Sequence, residues 1–245
     1  MRKKIKKPSW PLKAGLWTAL GLNVFAYAET PPVQPVSAEQ LQLQKDQQQY
    51  QAYIPQSFIL YKELKGDLNK DAKADLVLIV KSTDPKMHEA NQFGEQVDRN
   101  RRGIIVLLYD DGKYKKVMQN LAAFSSENED GGVYFAPELV PSIEKGLLKI
   151  HYAHGRYGYW SYSFRLEGQD LRLIGYDDSS NHGPYIDNQT SINFLSQKKL
   201  YRDNINKNND DAEPRFKESW RRIHAAPIYL SQIHDFDQLT LSALE

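Results

Sequence analysis

The sequence Gly66-Asp67-Leu68-Asn69-Lys70-Asp71-Ala72-Lys73-Ala74-Asp75 runs directly into Leu76-Val77-Leu78-Ile79-Val80. The second part is a continuous run of leucine and β-branched residues, which predicts a strand that is covered on both faces. The first part places oxygen-bearing side chains at alternate positions of a short loop. Calcium takes several oxygen ligands from short, sharply turning loops of this kind. The stretch therefore predicts a buried β-strand that is entered through a divalent-cation loop.

Further strand patterns extend outward from this stretch. In residues 160–166, aromatic and aliphatic side chains alternate with Ser and Arg, which is typical of a half-buried strand. Asp110-Asp111-Gly112 predicts a hairpin turn. The other predicted strands are 58–60, 103–109, 113–117, 146–152, 171–176, 188–195 and 200–202. Many short strands with turns between them indicate a mainly β protein (β-rich α+β), with antiparallel sheets as a sandwich, a meander or a partial propeller.

The N-terminal region has the composition of a secretory signal peptide. In residues 1–28, a basic start precedes an apolar core of about a dozen residues, and Ala26-Tyr27-Ala28 fits the cleavage rule. That core is shorter than the roughly 20 residues that a membrane span needs. We therefore expect a periplasmic or secreted protein without a membrane span after signal cleavage.

The remaining chain predicts one domain with short extensions. A Pro- and Gln-rich leader, 29–53, ends in a segment that either forms a short N-terminal helix docked on the body or stays solvated. A single β-rich domain covers 54–236, and a tail covers 237–245. The chain has no cysteine, so its stability must come from its core and from any bound ion.

Charge limits the classes of partner. Residues 1–28 contain six Lys or Arg and no acid, so the other 217 residues carry 26 basic and 31 acidic side chains, a net charge of −5. Nucleic acids and anionic lipids favour a basic surface, and an acidic mature chain therefore argues against both. A protein or glycan of the cell envelope remains the expected partner. The sequence does not indicate an oligomeric state.

The loop at 66–80 resembles the FG-GAP or integrin-type calcium loop: Gly-Asp, oxygen side chains at alternate positions, a further Asp, and a buried strand. The resemblance implies a weakly bound, structural Ca²⁺ whose ligands are Asp67, Asn69, Asp71, the Lys73 carbonyl and Asp75. The family pattern has Gly after the third acid, where φ is positive, and this chain has Ala72. An Ala in that conformation costs on the order of 1 kcal/mol. Position 12 of the loop is Leu78, so the loop is not an EF-hand.

A wider resemblance covers most of 54–236. Several segments together resemble a family of secreted bacterial proteins without a known activity. They are Ile54-Pro55, the acidic loop, Gly131-Gly132-Val133 and segments 146–152, 160–164 and 173–176. The resemblance implies an exported compartment and supplies no chemistry.

Three other groups of residues are candidate sites. His151 and His154 are three residues apart, so on a strand they point to opposite faces and make a poor metal pair. An aromatic concentration could stack on sugar rings or pack a sheet face; it consists of Tyr152, Tyr157, Tyr159, Trp160 and Tyr162. A polar loop after a strand could hold a hydrolytic site or could be a plain turn; it contains Asp177, Asp178, Ser179, Ser180 and His182.

No nucleophile motif such as G-x-S-x-G occurs in the sequence. The sequence therefore favours an exported, non-catalytic protein that binds an envelope component or partner and carries one structural calcium loop. Two alternatives stay open: a periplasmic hydrolase that uses His151, His154, Asp177 or His182, and an inhibitor or immunity-type protein.

Overall fold

The computed structural model describes residues 38–129, 136–207, 213–241 and 244. The predicted signal peptide and residues 29–37 of the leader lie outside these ranges. Helix α1 covers Ala38–Tyr50. The strands of the described residues are β1 (Phe58–Gly66), β2 (Asp75–Ser82), β3 (His88–Ala90), β4 (Gln96–Asp98), β5 (Arg102–Asp110), β6 (Lys113–Phe124), β7 (Glu138–Glu144), β8 (Leu147–Ala153), β9 (Gly158–Glu167), β10 (Asp170–His182), β11 (Tyr185–Asn193), β12 (Lys198–Asn204) and β13 (Phe216–Arg222).

A four-stranded antiparallel sheet has the order β1-β2-β5-β6. Its central strand β2 is buried on both faces, and Leu76 through Val80 are each 0% exposed. This confirms the prediction for the apolar run. One face packs on Tyr50, the last residue of helix α1, and on Ile54, so the C-terminal end of the helix is docked on the body. The other face packs on the second large sheet.

That second sheet is a seven-stranded antiparallel meander in which each strand pairs with its neighbours in sequence, from β7 to β13. The two sheets face each other as in a β-sandwich, and together they confirm the mainly β, antiparallel class. The predicted hairpin turn joins β5 to β6, with φ of 43° at Asp111 and 81° at Gly112. Strands β3 and β4 form a separate small hairpin between β2 and β5.

The face of the seven-stranded sheet that contacts the four-stranded sheet is called the inner face here, and the opposite one the outer face. On β8 and β9 the inner face is apolar and buried, with Leu148, Ile150, Tyr152, Tyr162 and Phe164 at 2% exposure or less. The C-terminal segment closes this core with Phe236, which is 2% exposed and stacks on Phe124 at 5.2 Å between ring centroids.

One sequence prediction is wrong. Residues 177–182 form the second half of strand β10 and not a polar loop. Asp178 pairs with Trp160 of β9 on one side and with Thr190 of β11 on the other. Backbone hydrogen bonds from two neighbouring strands hold the segment extended and outweigh the low β-propensity of Asp, Ser and Asn.

Candidate functional site

A polar groove forms on the inner face where the apolar lining ends. Side chains two residues apart on a strand share a face, so Asp178 continues the face of buried Tyr176, and Thr190 continues the face of buried Ile192. The register then brings Tyr201 of β12 opposite Thr190, and Ser219 of β13 opposite Tyr201. The groove encloses about 430 Å³ and is lined by Asp178, Asn188, Thr190, Lys199, Tyr201, Ser219 and Arg221.

The lining offers both hydrogen-bond donors and hydrogen-bond acceptors. Lys199 and Arg221 donate only, the Asp178 carboxylate accepts, and the hydroxyl and amide side chains do both. Tyr201 is 37% exposed and presents an aromatic ring at the groove surface. Lys199 Nζ donates to the Leu244 carbonyl oxygen at 3.1 Å, so one cation of the groove already holds a main-chain carbonyl. The arrangement suits a polar ligand that carries many hydroxyl or carbonyl groups.

Asp178 is half-buried at the base of this groove. Burial raises the pKa of its carboxyl group and outweighs the hydrogen bonds from the Tyr176 hydroxyl and from Thr190, which favour the ionised form. Burial, and after it the charge of the neighbouring Asp178 carboxylate, raises the pKa of the Tyr176 hydroxyl. The groove therefore holds a carboxylate in surroundings that disfavour its ionised form. Perturbed ionisable groups of this kind are common at ligand-binding and catalytic sites.

The predicted cation loop connects β1 to β2. Asp67 Oδ2 accepts from the Ala72 amide at 2.9 Å, and Asp71 Oδ1 accepts from the Lys73 amide at 2.8 Å. Asn69 Oδ1 accepts from the Asp71 amide at 3.1 Å. Three of the expected side-chain ligands therefore lie together and hydrogen-bond the backbone of their own loop.

Asp75, the fourth expected side-chain ligand, is turned into the body. It is 0% exposed, and its oxygens accept from the Leu68 amide at 2.8 Å and from the Tyr109 amide at 3.0 Å. It joins the loop to strand β5, and this role needs no ion. Among the described residues, no group of three or more His, Asp or Glu side chains is arranged to hold a metal ion. The carboxylates of the loop do not form such a group by themselves. The expected ligand set also contains the side-chain amide of Asn69 and the main-chain carbonyl of Lys73.

The loop backbone adopts the conformation that the family pattern requires. Ala72 has a φ of 65°, in the left-handed region where the family has Gly, and Lys70 has the same φ. Leu68 is 3% exposed and anchors the loop in the core. The loop therefore keeps its turn although Ala replaces Gly.

A second polar cluster was missed in the sequence. Arg102 is 2% exposed, lies over the Tyr61 ring at 5.3 Å, and donates to the Ser125 carbonyl at 3.0 Å. Glu127 accepts from the Tyr61 hydroxyl at 2.7 Å and from Lys81 Nζ at 2.7 Å. Tyr61, Arg102 and Glu127 line one side of a cleft of about 760 Å³. The contacts of the cluster join residues that are 23 to 66 positions apart, so only the fold brings them together and no local pattern could have revealed the cluster.

Lys81 connects this cluster to Asp98. Its Nζ lies 2.9 Å from Asp98 Oδ2 and 2.7 Å from Glu127 Oε1. Burial opposes ionisation of Asp98, but hydrogen bonds from Lys81 and Asn100 outweigh it and lower the pKa of Asp98 to about 2. The same balance of burial against the Lys81 contact lowers the pKa of Glu127. The cluster satisfies its own charges and therefore serves to fix the 125–129 segment.

The candidate histidines lie apart. The His151 ring packs on Tyr159 at 5.3 Å, whereas His154 packs on Tyr157 at 5.1 Å and on Trp160 at 6.4 Å. Trp160 is on the inner face and Tyr159 on the outer face. His151 lies on strand β8 and His154 directly follows its end, so the two rings contact aromatic side chains of opposite faces. His182 Nδ1 hydrogen-bonds Asp187 Oδ1 at 2.6 Å.

The predicted hydrolytic group does not come together. Asp177 and His182 are five residues apart on one extended strand, which separates them by about 15 Å. In register across the outer face, Asp177 lies beside Ser161, and Ser161 lies beside His151. In a serine triad the histidine lies between serine and carboxylate, and here serine occupies the middle position.

The predicted aromatic concentration is divided between the two faces. Tyr152 and Tyr162 are both 2% exposed and belong to the core around Phe236. Trp160 stacks on Tyr152 at 5.3 Å, whereas Tyr159 lies on the outer face and Tyr157 is 37% exposed. Sheet packing therefore accounts for the central members of the group. The aromatic ring of the groove, Tyr201, lies outside this group and was missed, because a single Tyr in a short strand carries no distinguishing signal.

Comparison with known proteins finds no family model that matches the chain and no curated protein that matches it. No helix among the described residues is long and apolar enough to cross a membrane.

Proposed function

We propose that this chain is an exported, non-catalytic binding protein of the cell envelope and that its ligand occupies the polar groove. The observation that carries the proposal is the change in character of the inner face, from a dry apolar core on β8 and β9 to an open polar concavity on β10 to β13. A few placed polar groups fix the orientation of a bound ligand, and this concave face combines such groups with the aromatic ring of Tyr201.

A glycan is the ligand class that the groove suits best. Sugar hydroxyls both donate and accept, and the groove supplies Asp178 as an acceptor, Lys199 and Arg221 as donors, and Asn188, Thr190 and Ser219 for either role. The exposed face of Tyr201 offers a surface on which a sugar ring can stack. The open shape of the groove favours a segment of an oligosaccharide.

Calorimetric titration with soluble oligosaccharides tests the proposal. The probes are oligomers of hexose, of N-acetylhexosamine and of hexuronic acid, each added to the mature chain. At least one class should bind, and Tyr201→Ala should weaken that binding at least tenfold, because the stacking surface is lost. Tyr157→Ala is the matched control, since Tyr157 has the same exposed fraction of 37% and does not line the groove.

Two results would contradict the proposal. One is the absence of binding to every glycan class, and the other is binding that Tyr201→Ala leaves unchanged. Release of new reducing ends during a long incubation would replace the binding function with the hydrolase alternative.

We also propose that the loop at 67–75 binds Ca²⁺ weakly and for a structural purpose. Asp67, Asn69 and Asp71 contribute side-chain oxygens, Lys73 contributes its carbonyl, and Asp75 fixes the end of the loop to strand β5. Extracellular calcium modules of comparable charge bind with dissociation constants of roughly 10⁻⁴–10⁻³ M.

Thermal melting with 5 mM CaCl₂ and with chelator tests this site. The melting temperature should rise with calcium, and Asp71→Ala should abolish the rise, because Asp71 is exposed and supplies a ligand without supporting the core. Asp111→Ala, which removes an exposed aspartate from another turn, is the control. Identical melts with calcium and with chelator would remove the ion from the proposal.

A further inference from the structure

Strand β13 is the last strand of the seven-stranded sheet, and no described residue pairs with its outer edge. In the part of the chain that the structure describes, β13 pairs with β12 alone. Residues 217–222 are all exposed. An open edge presents unpaired backbone N–H and C=O groups and can accept a further strand.

The register identifies which backbone groups face outward. The Ile223 amide donates to the Gln197 carbonyl, and the Arg215 carbonyl accepts from the Ile205 amide. Arg215 and Ile223, which flank β13, therefore turn their backbone groups toward the β12 side. The pairing from 198/222 to 204/216 is continuous, and backbone groups alternate in direction along an antiparallel strand. The even-numbered residues Glu218, Trp220 and Arg222 therefore turn their N–H and C=O groups to the open edge.

Trp220 lies in the middle of this set. Its side chain is on the outer face, opposite Leu200, and is 63% exposed. An exposed tryptophan on an open strand leaves a large apolar surface in water, and tryptophan is among the residues that most often anchor a protein partner.

Charge selects the kind of strand that can pair here. β13 carries Lys217, Arg221 and Arg222 against the single acid Glu218, and the Glu218 carboxylate is held by Arg202 at 2.9 Å. An antiparallel pair of two β13 strands centred on Ser219 would place Lys217 opposite Arg221 twice. Like charges directly opposite each other are destabilising, so this register is disfavoured. A register centred on Trp220 would place Glu218 opposite Arg222 twice and is allowed by charge, so a second copy is the competing occupant that the test must distinguish. The excess of cations on the strand favours an acidic partner strand.

We infer that the β13 edge binds an extended, acidic polypeptide segment of a partner protein as an eighth antiparallel strand. The outward backbone groups of Glu218, Trp220 and Arg222 provide the main-chain hydrogen bonds. Trp220 packs on an apolar side chain of the incoming strand, and Lys217 and Arg222 pair with its acids. This mode of recognition takes affinity from the backbone and specificity from alternate side chains. It does not depend on the ligand of the polar groove.

The test uses the mature chain and a synthetic nine-residue peptide in which glutamate alternates with valine. Binding is measured by calorimetry and by the change in Trp220 fluorescence. The peptide should bind, and binding should weaken as salt concentration rises. Trp220→Ala should weaken binding at least tenfold. Phe93→Ala is the matched control, since Phe93 is 76% exposed and lies between β3 and β4, outside the seven-stranded sheet.

Two further arms separate the backbone contribution from the charge contribution. The same peptide with alternate N-methylated residues cannot complete the strand and should not bind. The double variant Lys217→Glu with Arg222→Glu should reject the glutamate peptide and accept one with lysine in place of glutamate. Equal binding of the N-methylated peptide would overturn the proposal, and so would unchanged charge preference. A dimer that forms through β13 in sedimentation, lost in Trp220→Ala, would overturn it in favour of a second copy.

Discussion

Two regions of the molecule use the same kind of sheet for different purposes. The closed region consists of the four-stranded sheet and the inner face of β7 to β9, and the open region is the polar groove on β10 to β13. In the closed region the inner-face side chains pack on Phe236 and on the opposing sheet. In the open region the same face carries Asp178, Lys199 and Arg221. The closed region therefore supplies the free energy of folding, and the open region can carry costly polar groups.

The largest expected effect comes from truncating the centre of the closed region. Phe236→Ala should lower the free energy of unfolding by about 4 kcal/mol. The substitution removes the contacts of the Phe236 ring with four aromatic rings and leaves a cavity in the core. Tyr201→Ala in the open region should change it by less than about 1 kcal/mol, since Tyr201 is 37% exposed. Urea unfolding of the two variants measures both values. Similar losses in the two variants would contradict the division into regions.

The sequence predicted the closed region better than the open one. The run at 76–80 and the alternation at 160–166 reflect burial, and burial imposes a pattern on neighbouring residues. The structure confirms strands at both places. The φ of 65° at Ala72 also agrees with the loop pattern. These features could be found because their cause is local.

The open region carries no such pattern. Asp178, Thr190 and Tyr201 meet only because three consecutive strands pair in a particular register. A register shift of one residue would turn these side chains to the outer face, and the sequence of one strand does not specify its partner's register. The sequence predicts a loop at 177–182 for the same reason, since the neighbouring strands that hold this polar segment extended are not visible locally.

The two regions should also differ in how the free energy of unfolding depends on pH. Asp98, which lies beside the four-stranded sheet, is an ionised group that stabilises the fold. Its pKa of about 2 lies below the ordinary value of 3.8, so its ion pair with Lys81 stabilises the fold above about pH 4. That contribution is lost as pH falls from 4 to 2. Asp98→Asn should cost about 1 kcal/mol at pH 7, allowing for solvent screening of a side chain that is 30% exposed.

Urea unfolding at pH 7 and at pH 2.5 measures this difference. The gap between Asp98→Asn and the parent chain should shrink at the lower pH. At pH 2.5 the unfolded chain is already protonated at Asp98, whose ordinary pKa is 3.8, so folding no longer gains the full free energy of the ion pair. A gap that is the same at both values of pH would mean that shape and not charge determines the effect. Asp84→Asn, which changes an exposed aspartate outside the Lys81 cluster, is the control.

The smallest expected change in the free energy of unfolding comes from Asp178 in the open region, and its dependence on pH has the opposite sign to that of Asp98. The pKa of Asp178 is raised by burial, so the native state holds its proton more tightly than the unfolded chain does. This group therefore loses stabilising free energy as pH rises through its folded-state pKa. Asp178→Asn removes the cost of the charge and keeps an oxygen that can accept from Tyr176 or Thr190. The variant should be more stable than the parent chain by about 0.5 kcal/mol at pH 7.

Asp177→Asn is the matched control for this change, because Asp177 is the preceding residue of β10, exposed and on the outer face. It should leave the free energy of unfolding within about 0.3 kcal/mol of the parent value at pH 7. Calorimetric melting of both variants between pH 4 and pH 7 measures the slopes. If Asp178→Asn is less stable than the parent chain at pH 7, then the carboxylate supports the fold. In that case its place in the groove would need no ligand to explain it.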